Sequence, residues 1–281
     1  MKSVLKLHES AHQITCNKFA IFCEANTEMP YYYKSLVMDA AAVSSIFYGC
    51  ETWLSSNPTQ VIGAYSQLLK CLLGVRTSTS MDMCLIESGK DPASFIIYKR
   101  LKNFIDNKMK NKDMEEPFQI VYEKCKNLNT PGFRFLQKVI NKDENEISLE
   151  SIVRKVTNKS GTKFKTYREV LNPKLEKHEI YDRKVYIPDY LRKQFTRLRL
   201  ISHNLKIETG RWSNTPVENR VCKCDRVSIQ NEIHVLLHCP LSRSLRQEYI
   251  TLSFNSLCNL INCKDLVNMC KYIKRVLQIF Q

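Results

Sequence analysis

The residues best suited to chemistry lie at Cys222-Lys-Cys224, followed after nine residues by His234 and after four more by Cys239. Three thiols and an imidazole match the donor set of a closed structural zinc site, which takes four tetrahedral sulfur and nitrogen ligands. The two close cysteines can share one tight turn, and the polar loop 225–232 is short enough to close a cage. His234 and Cys239 stand more than one α-helical turn apart, which predicts a local distortion between them or a break at Pro240. His238, one turn from His234, competes for the fourth place and would make a site of two cysteines and two histidines. With 12 cysteines in the chain, the same residues also fit a set of ordinary buried thiols with a core histidine. Cys258, Cys263 and Cys270 fall in an apolar helical pattern with Leu266, Ile273, Leu277 and Phe280 and read as core. A Zn2+ ion at the first cluster would be structural: its binding energy, on the order of 10 kcal/mol, would appear as folding free energy. The pattern offers no open coordination position and no neighbouring general base, so a hydrolytic metal is not expected.

Charge is the second signal. The net charge of +15 is concentrated: residues 1–150 hold 18 basic and 17 acidic side chains, residues 151–226 hold 19 and 8, and residues 227–281 hold 6 and 3. Such a block attracts phosphate backbones through counterion release, without regard to sequence; a solvated basic surface has the same composition. Within it, Leu191, Phe195, Leu198, Ile201 and Leu205 fall on one arc of a helix expected over 190–206. Arg192, Lys193, Arg197, Arg199, His203 and Lys206 fall on the other, where they can meet phosphates.

The elements that must hold these groups are helical. Only 7 glycines and 9 prolines argue against a sandwich or barrel. Helices are expected over 4–25, 31–54, from Pro58 to Gly74, over 81–88 and over 93–111, with a turn at 26–30 and a break at 55–58. Residues 142–187 read as a charged, partly helical connector. The N-terminal residues are too polar for a signal peptide and no run of 18 apolar residues occurs, so no membrane association is expected. The cysteines are then expected to be reduced, and the protein intracellular, in nucleus or cytoplasm.

Two stretches carry a family resemblance. The first runs Ile46-Phe-Tyr-Gly-Cys-Glu-Thr-Trp53, then Leu72-Leu-Gly-Val75, Ser78 and Thr79, Glu87-Ser-Gly89 and Pro92. It resembles the region just after the palm in reverse transcriptases of non-LTR (LINE- and jockey-like) retrotransposons, where such a helix leads into the thumb. The second runs Leu198-Arg-Leu-Ile-Ser-His203, Glu208-Thr-Gly-Arg211, Arg220-Val-Cys-Lys-Cys224, Glu232 with Leu236, and His234 through Cys239-Pro240. It is similar to the Cys/His segment at the C-terminal end of the same polyproteins.

The resemblance spans about residues 30–110 and 185–250. It implies Cys222, Cys224, His234 and Cys239 as metal ligands, with His238 the alternative, and a role in holding nucleic acid. Charge and placement add Arg211, Arg220, Lys223 and Arg226 to the candidate phosphate contacts.

The family's polymerase needs paired palm carboxylates to hold catalytic metals. This sequence contains no Asp-Asp dipeptide and few residues before Tyr48, so fingers, palm and endonuclease are expected to be missing. The expectation is a mainly α protein: a thumb-like helical bundle over 1–141, the charged connector over 142–187, and a basic helix with a small zinc-binding α+β domain over 188–281. Its function would be non-catalytic binding of RNA or DNA. The alternative is a zinc-stabilised module for an acidic protein partner.

Overall fold

The computed structural model describes residues 2–50, 58–110 and 116–280. The Thr59–Leu73 helix lies against the Lys2–Ala25 helix, burying Val61, Tyr65, Leu68, Leu69 and Leu72 at helical spacing against Cys16, Phe19 and Cys23. It stops where expected. Gly74 takes a left-handed φ of +70°, Gly74 N donates to Cys71 O, and Val75 N donates to Lys70 O. Any side chain at Gly74 would be strained and would also meet Lys193, 2.5 Å from its ideal Cβ.

The apolar segment after Pro30 forms Tyr31–Val37, then a π-helical turn over Met38–Val43, then Ser44–Ile46. Trp53 and the expected break at 55–57 lie outside the described residues. The helices expected over 81–88 and 93–111 are Met81–Ser88 and Ala93–Lys110. Residues 142–187 are packed structure: the Leu149–Asn158 helix lies against Met81–Ser88, and Val156, Tyr167, Leu171 and Tyr181 are buried. The buried apolar side chains form one continuous core from Cys16 to Phe280. Among the described residues the only β pairing is one antiparallel bridge, Val221 with Ile229, so the C-terminal part is helical rather than α+β.

The single helix expected over 190–206 is two. Asp189–Arg199 ends where Ile201 takes a positive φ of 50°, and Lys206–Trp212 follows. Both faces of the first are covered, because the Leu266–Ile279 helix packs on it and the C-terminal end of Thr59–Leu73 abuts it. Arg192 is therefore buried at 0% exposure, its guanidinium donating to Asp189, Thr196, Leu72 O and Leu73 O. Those two carbonyls belong to the last turn of a helix, where intrahelical partners run out. Arg199, also buried, bonds Glu87 at 2.6 Å and Leu171 O at 2.8 Å.

Asp189 anchors this arrangement. Its carboxylate receives Arg192, Lys193 at 2.9 Å and the fully buried Lys34 at 2.7 Å. Burial opposes its ionisation, but Arg192, Lys193 and Lys34 hold Asp189 below the usual carboxylate range. Asp189→Asn leaves two buried cations under-compensated and is expected to cost about 3–5 kcal/mol in urea unfolding; a loss under 1 kcal/mol would show that the ion cluster does not hold these helices together.

His178 accepts from Ile180 N at Nδ1 and bonds Ile261 O through Nε2. Burial, then the Arg199 charge, push it down to about 4. The unfolded chain takes that proton near pH 6.5, so stability from this group is present above 6.5 and is lost as pH falls toward 4. Unfolding midpoints from pH 7.5 to 4.5 are expected to fall more steeply for the native chain than for His178→Gln. Parallel curves would contradict this assignment.

Candidate metal centre

The cage is built from two pieces of backbone. In the first, Val221 pairs with Ile229, Cys222 N donates to Ser228 O at 2.7 Å, and Arg226 N donates to Cys222 O at 3.0 Å. Arg226 turns the chain with a φ of 59°. The Asp225 carboxylate accepts from Val227 N, Ser228 N and the Ser228 hydroxyl, closing the turn that presents Cys222 and Cys224. These donors hold the exposed Asp225 well below the usual carboxylate range.

In the second piece, Asn231 Oδ1 accepts from His234 N at 2.8 Å. A π-helical turn then spans His234–His238, closed by Cys239 N donating to His234 O at 2.7 Å. This is the distortion that the five-residue spacing called for. An i to i+5 turn carries Cys239 back alongside His234, as an α-turn would have carried His238.

Cys222, Cys224, His234 and Cys239 accordingly bring their ligand atoms within 4.8 Å of one another. Cys222 Sγ lies 3.8 Å from Cys239 Sγ, and Cys224 Sγ 3.3 Å from His234 Nε2. Metal–sulfur bonds of about 2.3 Å in a tetrahedron put sulfurs about 3.8 Å apart. His238 is exposed and outside the group, and Cys239 is the fourth member of the cluster. Burial, then the neighbouring thiols, push Cys224 up; burial pushes Cys239 up and His234 down. A cation held among these donors would offset the charge that each resists individually.

The supporting shell was only partly legible in the sequence. Arg246 donates to Cys239 O, and the Tyr272 hydroxyl to Leu236 O, tying the π-turn to the last helices. His203 Nε2 meets Glu232 at 2.9 Å while Nδ1 accepts from Leu205 N, so the ring donates to the carboxylate. Arg220 donates to Thr215 O and Ile207 O, and an added Cβ on Gly210 would stand 2.6 Å from its Nε. The motif glycine makes room for that guanidinium. Asn231, three residues before His234, and Asp225, three before Ser228, carry recognisable capping and turn patterns; the Arg246 and Tyr272 contacts have no local sequence signal.

The candidate phosphate contacts divide. Arg192, Arg199 and Arg220 are buried and bonded within the protein, which removes them from the accessible set. Lys193 is half-buried on Asp189 and Arg211 on Glu208; Arg197 is half-buried, its Nε donating to Gly74 O. Lys206, Lys223 and Arg226 are exposed, the last two on the cage loop, and the Lys223 ammonium donates to Ile279 O. On a helical wheel Arg192, Lys193, Arg197, Arg199 and Lys206 look alike, because the wheel does not reveal a second packing partner.

No family model matches this sequence, and no curated protein or solved structure is similar to it. Among the described residues no helix is long and apolar enough to cross a membrane.

Elemental analysis of the purified chain is expected to find about one equivalent of bound metal. Cys222→Ser with Cys224→Ser should abolish it, and His238→Ala should retain it. Metal kept by the double variant, or lost with His238, would refute this ligand set.

Proposed function

We propose that this chain is a zinc-stabilised, non-catalytic nucleic-acid-binding module of the kind found C-terminal to the palm in non-LTR retrotransposon reverse transcriptases. The observation that carries the proposal is the assembled cage of three thiols and one imidazole, whose own loop presents Lys223 and Arg226 to solvent. A closed donor set of this composition suits zinc, and its four filled positions suit structure rather than hydrolysis.

Two further features support the reading. The stretches that carry the resemblance pack on each other: Glu87 pairs with Arg199, Arg76 N donates to Ser202 Oγ, and Thr79 bonds the same hydroxyl. Motif residues far apart in the chain thus serve one contact, which fits their belonging to one ancestral unit. Beyond the internally bonded arginines, Arg154, Lys155, Lys165, Lys174 and Lys184 remain exposed in the basic block, alongside Lys206. They can act through counterion release without reading bases.

Filter binding or fluorescence anisotropy with a short RNA and the matching DNA tests the proposal. Log affinity is expected to fall linearly with log salt, and Lys223→Gln with Arg226→Gln should lower that slope by about 2. Absence of binding to both strands at low ionic strength defeats it. Salt-tolerant capture of an acidic protein would favour an interaction module instead.

A further inference from the structure

The turn after the Thr59–Leu73 helix, the end of the Asp189–Arg199 helix and the loop 202–205 enclose a cavity of about 230 Å³, remote in purpose from the metal cage. Its polar lining includes Arg76, Arg197, Gln194 and Asn204; Leu277 and Phe280 line it with apolar surface. Several waters, at roughly 30 Å³ each, or one tetrahedral oxyanion fit that space.

The two arginines differ from the carboxylate-paired arginines Arg192, Arg199 and Arg211. Neither Arg76 nor Arg197 has a carboxylate within ion-pair distance among the described residues. Both are nevertheless held in place. Arg197 donates its Nε to Gly74 O at 2.7 Å, which orients the guanidinium and leaves its two terminal nitrogens without a hydrogen-bond partner among the described residues. Arg76 lies 4.1 Å over the Trp212 ring and donates to Asn204 Oδ1 through Nη2, while its Nη1 is buried without a hydrogen-bond partner among the described residues.

Desolvation pushes both guanidiniums down; at Arg76 the more distant Glu208 charge opposes this and the Arg197 charge adds to it, and at Arg197 the Arg192 charge adds to it. The nearby acids are engaged elsewhere: Glu208 with Lys163 and Arg211, Glu232 with His203. Two oriented forks of like charge at a partly closed cavity form a site that lacks its counter-charge. A planar guanidinium fork matches phosphate oxygens in two-point contact.

We infer that the cavity lined by Arg76 and Arg197 binds one phosphate group, either as the free anion or at the end of a nucleic-acid strand. Trp212 is 54% exposed beside Arg76 and offers a base of such a strand a stacking surface. Binding of the free anion stands without the proposed nucleic-acid function; binding of a strand end rests on it.

The test uses the full chain in its metal-bound form. Inorganic phosphate is titrated at constant ionic strength against chloride and followed by calorimetry. Saturable binding is expected, weakened about tenfold or more by Arg197→Gln, the loss of one charge-assisted contact. Gln194 makes no side-chain hydrogen bond among the described residues, so Gln194→Glu sets a negative charge in the cavity without breaking one. It should weaken phosphate at least as much, with metal content unchanged and the melting temperature not lowered. No saturable phosphate binding, or equal affinity in Gln194→Glu, overturns the site.

The second arm compares one oligonucleotide with a 5′-phosphate and with a 5′-hydroxyl. Preference for the phosphorylated strand, lost in Gln194→Glu, assigns a strand end. Equal affinity for both strands, with phosphate binding intact, assigns the free anion. Phosphate binding with no affinity for either strand upholds the cavity and defeats the nucleic-acid reading.

Discussion

Helix ends govern this structure. A protein made of many short helices and almost no β pairing carries an unusual number of terminal carbonyls that their own helices cannot satisfy. Side-chain donors meet several of them. Arg192 binds Leu72 O and Leu73 O, Arg197 binds Gly74 O, Arg199 binds Leu171 O, and Arg168 binds Val156 O and Lys159 O. Each fork reaches the last turn of one segment from another, so satisfying a helix end also fixes how two segments meet. Asp189 and Glu87 make this possible by compensating the charge that Arg192 and Arg199 bring inside.

This changes the meaning of the basic composition. The excess of cations over 151–226 reads as a phosphate-facing surface, yet part of it is internal scaffolding. Lys159 pairs with Asp82, Lys163 with Glu208, and Arg220 braces the backbone between Ile207 and Thr215. The cations that remain exposed, Lys206, Lys223 and Arg226 among them, form a smaller set near the cage loop. Any electrostatic attraction of polyanions is carried by that set and by the other exposed lysines, not by the amphipathic helix as a whole.

The cage depends on the same economy of short elements. A tight turn stapled by Asp225 supplies two thiols, and a π-turn begun by Asn231 supplies the other two donors. Neither piece has the length to persist alone. Val235 and Leu236 point into the core, and Tyr272 and Arg246 hold the π-turn from outside, so the donor atoms converge because the C-terminal helices pack over them. Arg220, wedged over Gly210, joins the cage to the preceding helix, which accounts for the glycine and the arginine standing in one motif.

Local patterns determined a good deal. The helices Thr59–Leu73, Met81–Ser88 and Ala93–Lys110, the Gly74 stop and the four cage residues are all legible, because helical periodicity, capping and ligand spacing are properties of neighbouring residues. The choice of Cys239 over His238 needed the structure, since it turns on whether the backbone closes an α-turn or a π-turn. So did the fate of Arg192 and Arg199, whose burial depends on helices more than a hundred residues away in the chain. A helical wheel tells which residues share a face; only the tertiary arrangement decides whether that face meets water, a carboxylate or the end of another helix.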